Sequence, residues 1–378
     1  MGFLTGGITY VVPFLVVLTV LVFVHELGHY LVARWNKVRI ETFSIGFGPE
    51  LFGWTDRVGT RWKVSAVPLG GYVKMFGDTD PASMGASEQI ERMSDEEKAV
   101  SFHHKRLMQR VAVVVAGPAA NFVFTVVALA VLFATIGQPF TPPQVGKVEA
   151  GSAAAAGGLK PGDTIVRIDG GAVHRFEDIQ QAVRLDDGRP LAITVQRDSK
   201  ELTLSITPRV TTVTDRFGYQ HRFPLLGIER QGVNYVRRNP VDAMWRAGQE
   251  TGNLVSGTLT AVWQMIIGAR PADEIGGPLR IAQMSGEVAQ GGVVALIWFM
   301  AVLSVNLGLI NLFPIPVLDG GHLLFYFAEA IRGRPLGARA QEYGFRLGLA
   351  VVLTLMVFAT WNDLVHIGFL RFLKGFGT

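Results

Sequence analysis

The 378-residue chain contains no cysteine, and only 17% of its residues are charged. The first absence excludes disulfides and thiolate metal ligands, so any metal must be held by histidine and carboxylate side chains. The second excludes an ordinary water-soluble chain, because 49% of the residues are hydrophobic and they gather into uncharged blocks. A basic stripe interleaved with aromatics is also missing, so the net charge of +4 suits anionic lipid headgroups and carries no nucleic-acid signature.

What is present instead is membrane-spanning material. Ile8 to Val24, Val111 to Ile136, Val293 to Phe313 and the shorter Leu347 to Asn362 carry no charge. At about 1.5 Å per residue, such stretches with their flanks cross the roughly 30 Å of a bilayer's hydrocarbon core, which predicts four spans. No Lys or Arg precedes the first block and no small-residue cleavage site follows it, so it reads as a retained span. Arg34, Lys37 and Arg39 follow the first span, Lys105, Arg106 and Arg110 precede the second, and Arg332, Arg334, Arg339 and Arg346 lie between the third and fourth. Positive-inside bias then puts residues 33–109 and 331–346 in the cytoplasm, with both termini and the 137–292 segment outside.

At the end of the first block stands His25-Glu26-Leu27-Gly28-His29. Residues i and i+4 share one helix face, so His25 and His29 can hold one zinc ion while Glu26 reaches a water on it. The same pattern arises by chance in soluble proteins, but three ionisable groups within five residues of a span are costly unless they pair, ligate or conduct. A third ligand is needed, and Asp319 offers itself beyond the third span, after Pro314 and Pro316, which break a helix. The alternative is that the prolines merely mark the exit of the span with Asp319 solvated, or that His322 is the ligand. His103, His104 and His366 lie near span ends, and His174 and His221 fall in the external segment.

Three separated motifs, H-E-L-G-H at 25–29, A-G-P-A-A-N at 116–121 and N-L-F-P-I-P-V-L-D-G-G-H at 311–322, together resemble the site-2 protease family of intramembrane zinc proteases. Within that family the sequence resembles the bacterial type similar to the regulator of sigma-E protease. The resemblance implies a multi-span α-helical membrane protein with four transmembrane helices, a cytoplasmic membrane-associated β-hairpin or sheet and one extracytoplasmic PDZ domain. It further implies one zinc per chain with His25, His29 and Asp319 as ligands, Glu26 as general base, and Asn121, Asn306 and Asn311 lining the substrate path. Read as residues alone, intramembrane amides also serve as glue between helices, worth about 0.6–2 kcal/mol.

Between the first two spans, Val38–Phe47, Thr60–Val67 and Tyr72–Phe76 read as strands separated by turns at Gly46–Pro49 and Pro68–Gly71. An open strand edge there could pair with an extended substrate, or the sheet could simply cover the cytoplasmic mouth. The external passage resembles a permuted bacterial PDZ domain over 141–231, with Leu226, Gly227 and Ile228 in the candidate carboxylate-binding loop. After it, Asn239-Pro240 starts a helix whose apolar stripe, with Trp245 and Trp263 near its ends, suits the outer membrane surface or packing on the spans.

The expected organisation is a first transmembrane helix at 1–32, a cytoplasmic β-rich region at 33–109, a second span at 110–136 and the PDZ domain at 141–231. Membrane-surface helices at 238–290, a third span at 292–330 and a fourth at 345–368 complete it. The expected function is regulated intramembrane proteolysis in a bacterial inner membrane. By the resemblance, the substrates are single-span proteins, either an anti-sigma factor after a first cut or remnant signal peptides, and a protein C-terminus binds the PDZ domain. A non-proteolytic PDZ scaffold and a divalent-metal transporter are the alternatives, although no pair of matched broken helices supports the latter.

Overall fold

A computed structural model describes residues 2–77, 93–184, 189–214, 220–232, 234–268 and 276–366. Of the expected segments, 78–92 before the second span, 185–188, 215–219 and 233 around the PDZ range, 269–275 in the 238–290 segment and 367–368 of the fourth span lie outside the described residues. In chain order the helices are α1 (Gly2–Trp35), α2 (Asp95–Val100), α3 (Leu107–Thr135), α4 (Ala153–Ala156), α5 (Phe176–Arg184), α6 (Pro240–Ile266), α7 (Pro278–Gln290), α8 (Val293–Leu312), α9 (Asp319–Arg332) and α10 (Ala338–His366). The first two strands, β1 (Ile40–Thr55) and β2 (Arg61–Met75), lie between α1 and α2, and β3 to β12 fall between Gln138 and Val236.

Four helical stretches are long and apolar enough to cross a membrane: Thr9–Trp35, Leu107–Thr135, Val293–Leu312 and Arg339–Val365. The chain forms two compact units, one from Met1–Ala130 and Met244–Asp363, the other centred on Val131–Ala243.

In the first unit, small residues let helix backbones meet. A Cβ at Gly28 on α1 would lie 2.2 Å from the Ala116 carbonyl oxygen and 2.7 Å from the Ala120 Cβ on α3. This is the close crossing that glycine and alanine permit between apolar helices. Ser304 on α8 donates to the Asn121 carbonyl at 2.9 Å, and Thr125 on α3 donates to the Ala301 carbonyl at 3.1 Å. At the far end of α1, Gly286 on α7 sits against Tyr10, and the buried Asp363 carboxylate of α10 accepts from the N–H groups of Gly277 and Arg280 at the start of α7. A carboxylate there satisfies donors that a helix N-terminus leaves unpaired.

Strands β1 and β2 form a strongly bent antiparallel pair. Thr42 to Ile45 pair on one side with Arg61 to Val64 and on the other with Gly71 to Lys74, and Phe52 to Thr55 pair with the far side of Arg61 to Val64, so the bent hairpin makes four rungs. The turns expected at Gly46–Pro49 and Pro68–Gly71 are instead bends inside continuous strands, because Gly46, Gly48 and Gly70 take φ of +88°, +85° and +102°, where glycine bends a strand without breaking it.

The second unit is a small antiparallel assembly. Its main sheet has the order β6 (Gly171–Ala172), β5 (Thr164–Ile168), β7 (Leu191–Arg197), β8 (Lys200–Ile206). Shorter pairs join β3 (Gln138–Phe140) to β12 (Asn234–Val236), β4 (Val145–Val148) to β11 (Ile228–Arg230) and β9 (Arg209–Thr214) to β10 (Gln220–Leu225). Alternate apolar residues of these strands meet Phe176, Ile179 and Val183 of α5 in one core with Val145, Ile165, Ile193, Ile206 and Leu226. Beside it the buried Asp163 carboxylate takes two bonds from the Arg197 guanidinium, at 2.7 and 2.6 Å.

Candidate metal centre and active site

Helix α1 runs without interruption through residues 25–29, so the i, i+4 spacing sets the two imidazoles on one face. Their rings meet edge to face with centroids 4.9 Å apart, and their Nε2 atoms are 3.3 Å apart. The third group arrives from the broken segment after α8. Phe313 takes an extended conformation as the helix ends, and α9 begins at Asp319. Val317 between them has φ +97°, an unusual conformation for a β-branched residue and one that such turns hold only where the surroundings enforce it. Gly320 and Gly321 make the turn possible: a Cβ on either would meet the backbone of residues 312–316 at 2.5 Å or less.

Asp319 thereby faces both rings, with Oδ2 3.2 Å from His25 Nε2 and Oδ1 3.5 Å from His29 Nε2. All three ligand atoms lie within 4.8 Å of one another. Both histidines are buried, and Asp319 Oδ2 is buried without a hydrogen-bond partner. His29 Nδ1 lies 2.8 Å from the Val113 carbonyl, which only accepts, so a neutral ring carries its proton on this nitrogen and leaves the Nε2 lone pair for a metal. Two imidazole nitrogens and a carboxylate converging with an orphaned oxygen form the donor set that zinc takes in hydrolytic sites, with a position left over for water or substrate. The residues present fit a zinc ion.

These side chains border a cavity of about 300 Å³ together with Glu26, Asn311, His322 and the strand residues Gly71, Tyr72 and Val73. The backbone of Val73 faces the Glu26 carboxyl, and a Cβ on Gly71 would lie 3.2 Å from Glu26 Cγ. His322 lines the cavity but stands outside the three-residue cluster.

The asparagines part company. Asn311 borders the cavity, whereas Asn306 accepts from Thr258 of α6 at 2.9 Å, and Asn121 is fully buried with Nδ2 3.1 Å from His25 Nδ1. In the second unit, Leu226 is buried in the core, the Gly227 carbonyl accepts from the Glu149 N–H, and Ile228 opens β11.

Comparison with known proteins decides the class. The model of peptidase family M50 matches residues 13–355. The chain belongs to peptidase family M50. It is therefore a zinc metalloprotease of the site-2 protease family, a hydrolase of intramembrane proteolysis, and the four apolar helices agree with a multi-pass membrane protein. A protein of Agrobacterium fabrum is 50% identical over 96% of this chain and 97% of its own length. Metalloprotease MmpA of Caulobacter vibrioides is 39% identical over 99% of this chain and all of its own. Among solved structures, the PDZ domain of the SdrC-like protein from Listeria innocua matches 25% of this chain and 98% of its own at 24% identity, with a TM-score of 0.20.

Arg110, Val113 and Gly117 were not singled out for the site from sequence, and Asn121 was singled out for the substrate path. Arg110, Val113, Gly117 and Asn121 of α3 fall at spacings of three, four and four, one stripe of a helix. Arg110 pairs with Glu329 of α9, Val113 meets His29, and a Cβ on Gly117 would touch His29. That spacing is visible in the sequence, but nothing in an uncharged span says which face the metal ligands take.

Proposed function

We propose that this family M50 protease cuts single-span membrane proteins within or near the bilayer, with one zinc ion per chain held by His25, His29 and Asp319 and with Glu26 as general base. The convergence of the two Nε2 atoms and the Asp319 carboxylate carries the proposal. A zinc ion there supplies Lewis acidity, which brings water toward a neutral pKa and polarises a carbonyl. Glu26, on the same cavity, takes the proton of the attacking water and hands it to the leaving amine as the peptide C–N bond breaks. A helical substrate keeps its amides tied to one another, so it must be extended before it can react. The Asn311 side-chain amide and the rung at Gly71–Val73, which borders the cavity, are placed to hold such a strand, the latter by β-augmentation.

The zinc end faces the cytoplasm of a bacterial inner membrane and the 141–231 segment lies outside, a reading supported by the basic residues flanking α1, α3 and α10. That segment acts as a PDZ domain taking a protein C-terminus at Leu226, Gly227 and Ile228. Its support is β11, which pairs on one edge with β4 and, among the described residues, with no strand on the other. Substrates are then proteins already trimmed outside, such as an anti-sigma factor, or remnant signal peptides.

The test is the zinc content of detergent-purified chain. We expect one ion per wild-type chain and loss from His25→Ala, His29→Ala and Asp319→Asn. Zinc retained at full stoichiometry in Asp319→Asn would move the third ligand to His322, and retention in all three variants would overturn the site.

A further inference from the structure

Asn121 stands apart from the cavity, fully buried, with its side-chain amide turned to the far nitrogen of His25. Its backbone is pinned, since the Asn121 carbonyl accepts from Ser304 of α8 at 2.9 Å and shares the Thr125 hydroxyl proton with the Ala301 carbonyl. As placed, Nδ2 points at His25 Nδ1 and Oδ1 is buried without a partner. A half-turn of the amide exchanges the two ends with almost no change of shape. As placed, one end of the amide lacks a partner, and the proton on His25 decides between the two orientations. A neutral imidazole that ligates through Nε2 carries its proton on Nδ1, and Nδ1–H needs an acceptor. Among the described residues, the Asn121 side-chain amide is the group at hydrogen-bond distance from this nitrogen, and its oxygen can take that role.

We infer that Asn121 is a positioning residue of the metal site: in the zinc-loaded enzyme its Oδ1 accepts from His25 Nδ1–H and fixes the tautomer and ring plane that present Nε2 to the metal. The inference rests on the zinc site proposed above. It assigns the two histidines parallel supports from one helix, the Val113 carbonyl for His29 and the Asn121 amide for His25. It also removes Asn121 from the substrate path, because a side chain with no exposed surface and one committed partner has nothing to offer an incoming strand. Ligand-orienting partners of this kind typically change metal affinity by about 10–100-fold when lost.

Zinc affinity of the full chain, measured by competition with a chromophoric chelator, tests this with Asn121→Asp and Asn121→Leu. Aspartate keeps an acceptor at the same place and should bind zinc at least as tightly as wild type, whereas leucine should bind about 10–100-fold more weakly. Equal weakness of both variants would mean that the amide acts as a donor, and wild-type affinity in Asn121→Leu would mean that it does not act through His25; either overturns the inference. Should the leucine variant fail to fold, the ¹⁵N spectrum of zinc-loaded wild type decides alone: a protonated His25 Nδ1 is the expected result, and a bare Nδ1 sinks the idea. Absence of zinc from wild type, or its full retention in His25→Ala, would instead bring down the zinc site itself.

Discussion

A Cβ atom at Gly117 of α3 would stand 2.2 Å from Nε2 of His29, so the absence of a side chain at one helix position makes room for the imidazole of another. The ring cannot simply swing away, because its Nδ1 is held by the Val113 carbonyl one turn earlier on α3. Gly117→Ala should therefore displace His29 and weaken zinc binding by at least about tenfold, the range seen when ligand orientation is lost. Gly248→Ala, at a helical glycine with nothing near its missing Cβ, is the control and should leave zinc affinity unchanged. Wild-type affinity in Gly117→Ala would show that α3 does not set the position of His29.

The Arg110–Glu329 ion pair joins the same helix to α9, whose first residue is Asp319, and the Arg110 guanidinium lies 4.9 Å from the Tyr326 ring centre. Both side chains are largely buried. Removing one partner of a buried pair leaves an uncompensated charge at a cost of about 3–5 kcal/mol, whereas replacing both with apolar groups is often close to neutral. Arg110→Met should lower the thermal midpoint in detergent clearly, and Arg110→Met with Glu329→Met should recover most of the loss. Additive losses in the double variant would mean that the two residues do not act as a pair.

In the Val131–Ala243 unit, pH should act through Asp163. Burial would raise its carboxyl, but the Arg197 guanidinium and the Lys160 N–H outweigh burial and hold it below the usual range near 4. A carboxyl depressed in the folded state contributes stability that is fully present above its unfolded pKa and is lost as pH falls through the folded value. Hydrogen exchange along β7, which carries Arg197, should thus show protection falling as pH drops below about 4. Asp163→Asn should have lower protection at neutral pH and a flatter profile; an unchanged profile would remove Asp163 from this role.

Much of this architecture can be read from the chain because it is written locally. The uncharged blocks announce helices of membrane length, the i, i+4 histidines need only a continuous helix to face one way, and Pro314 and Pro316 stop α8 before Asp319. What could not be read depends on which residues meet across long separations. His25 and Asn121 are 96 positions apart, Arg110 and Glu329 are 219 apart, and an amide in a span looks the same whether it faces a ligand, a neighbouring helix or a substrate. Thr258 and Asn306 make the same point, since a hydroxyl on an amphipathic helix gives no hint of its partner. The bends of β1 and β2 were hidden for another reason: glycine and proline punctuate turns and bulges alike, and only the pairing on both sides of Thr42–Ile45 separates the two.

Cleavage of a tagged single-span substrate with a short external tail, by detergent-purified chain, puts the proposed chemistry to its sharpest trial. Wild type should give product; Glu26→Gln should bind a full zinc complement and give none; and a chelator should stop wild type until zinc is returned. Product formed by Glu26→Gln at the wild-type rate, or by wild type stripped of metal, would contradict the assignment of Glu26 and zinc to the cut.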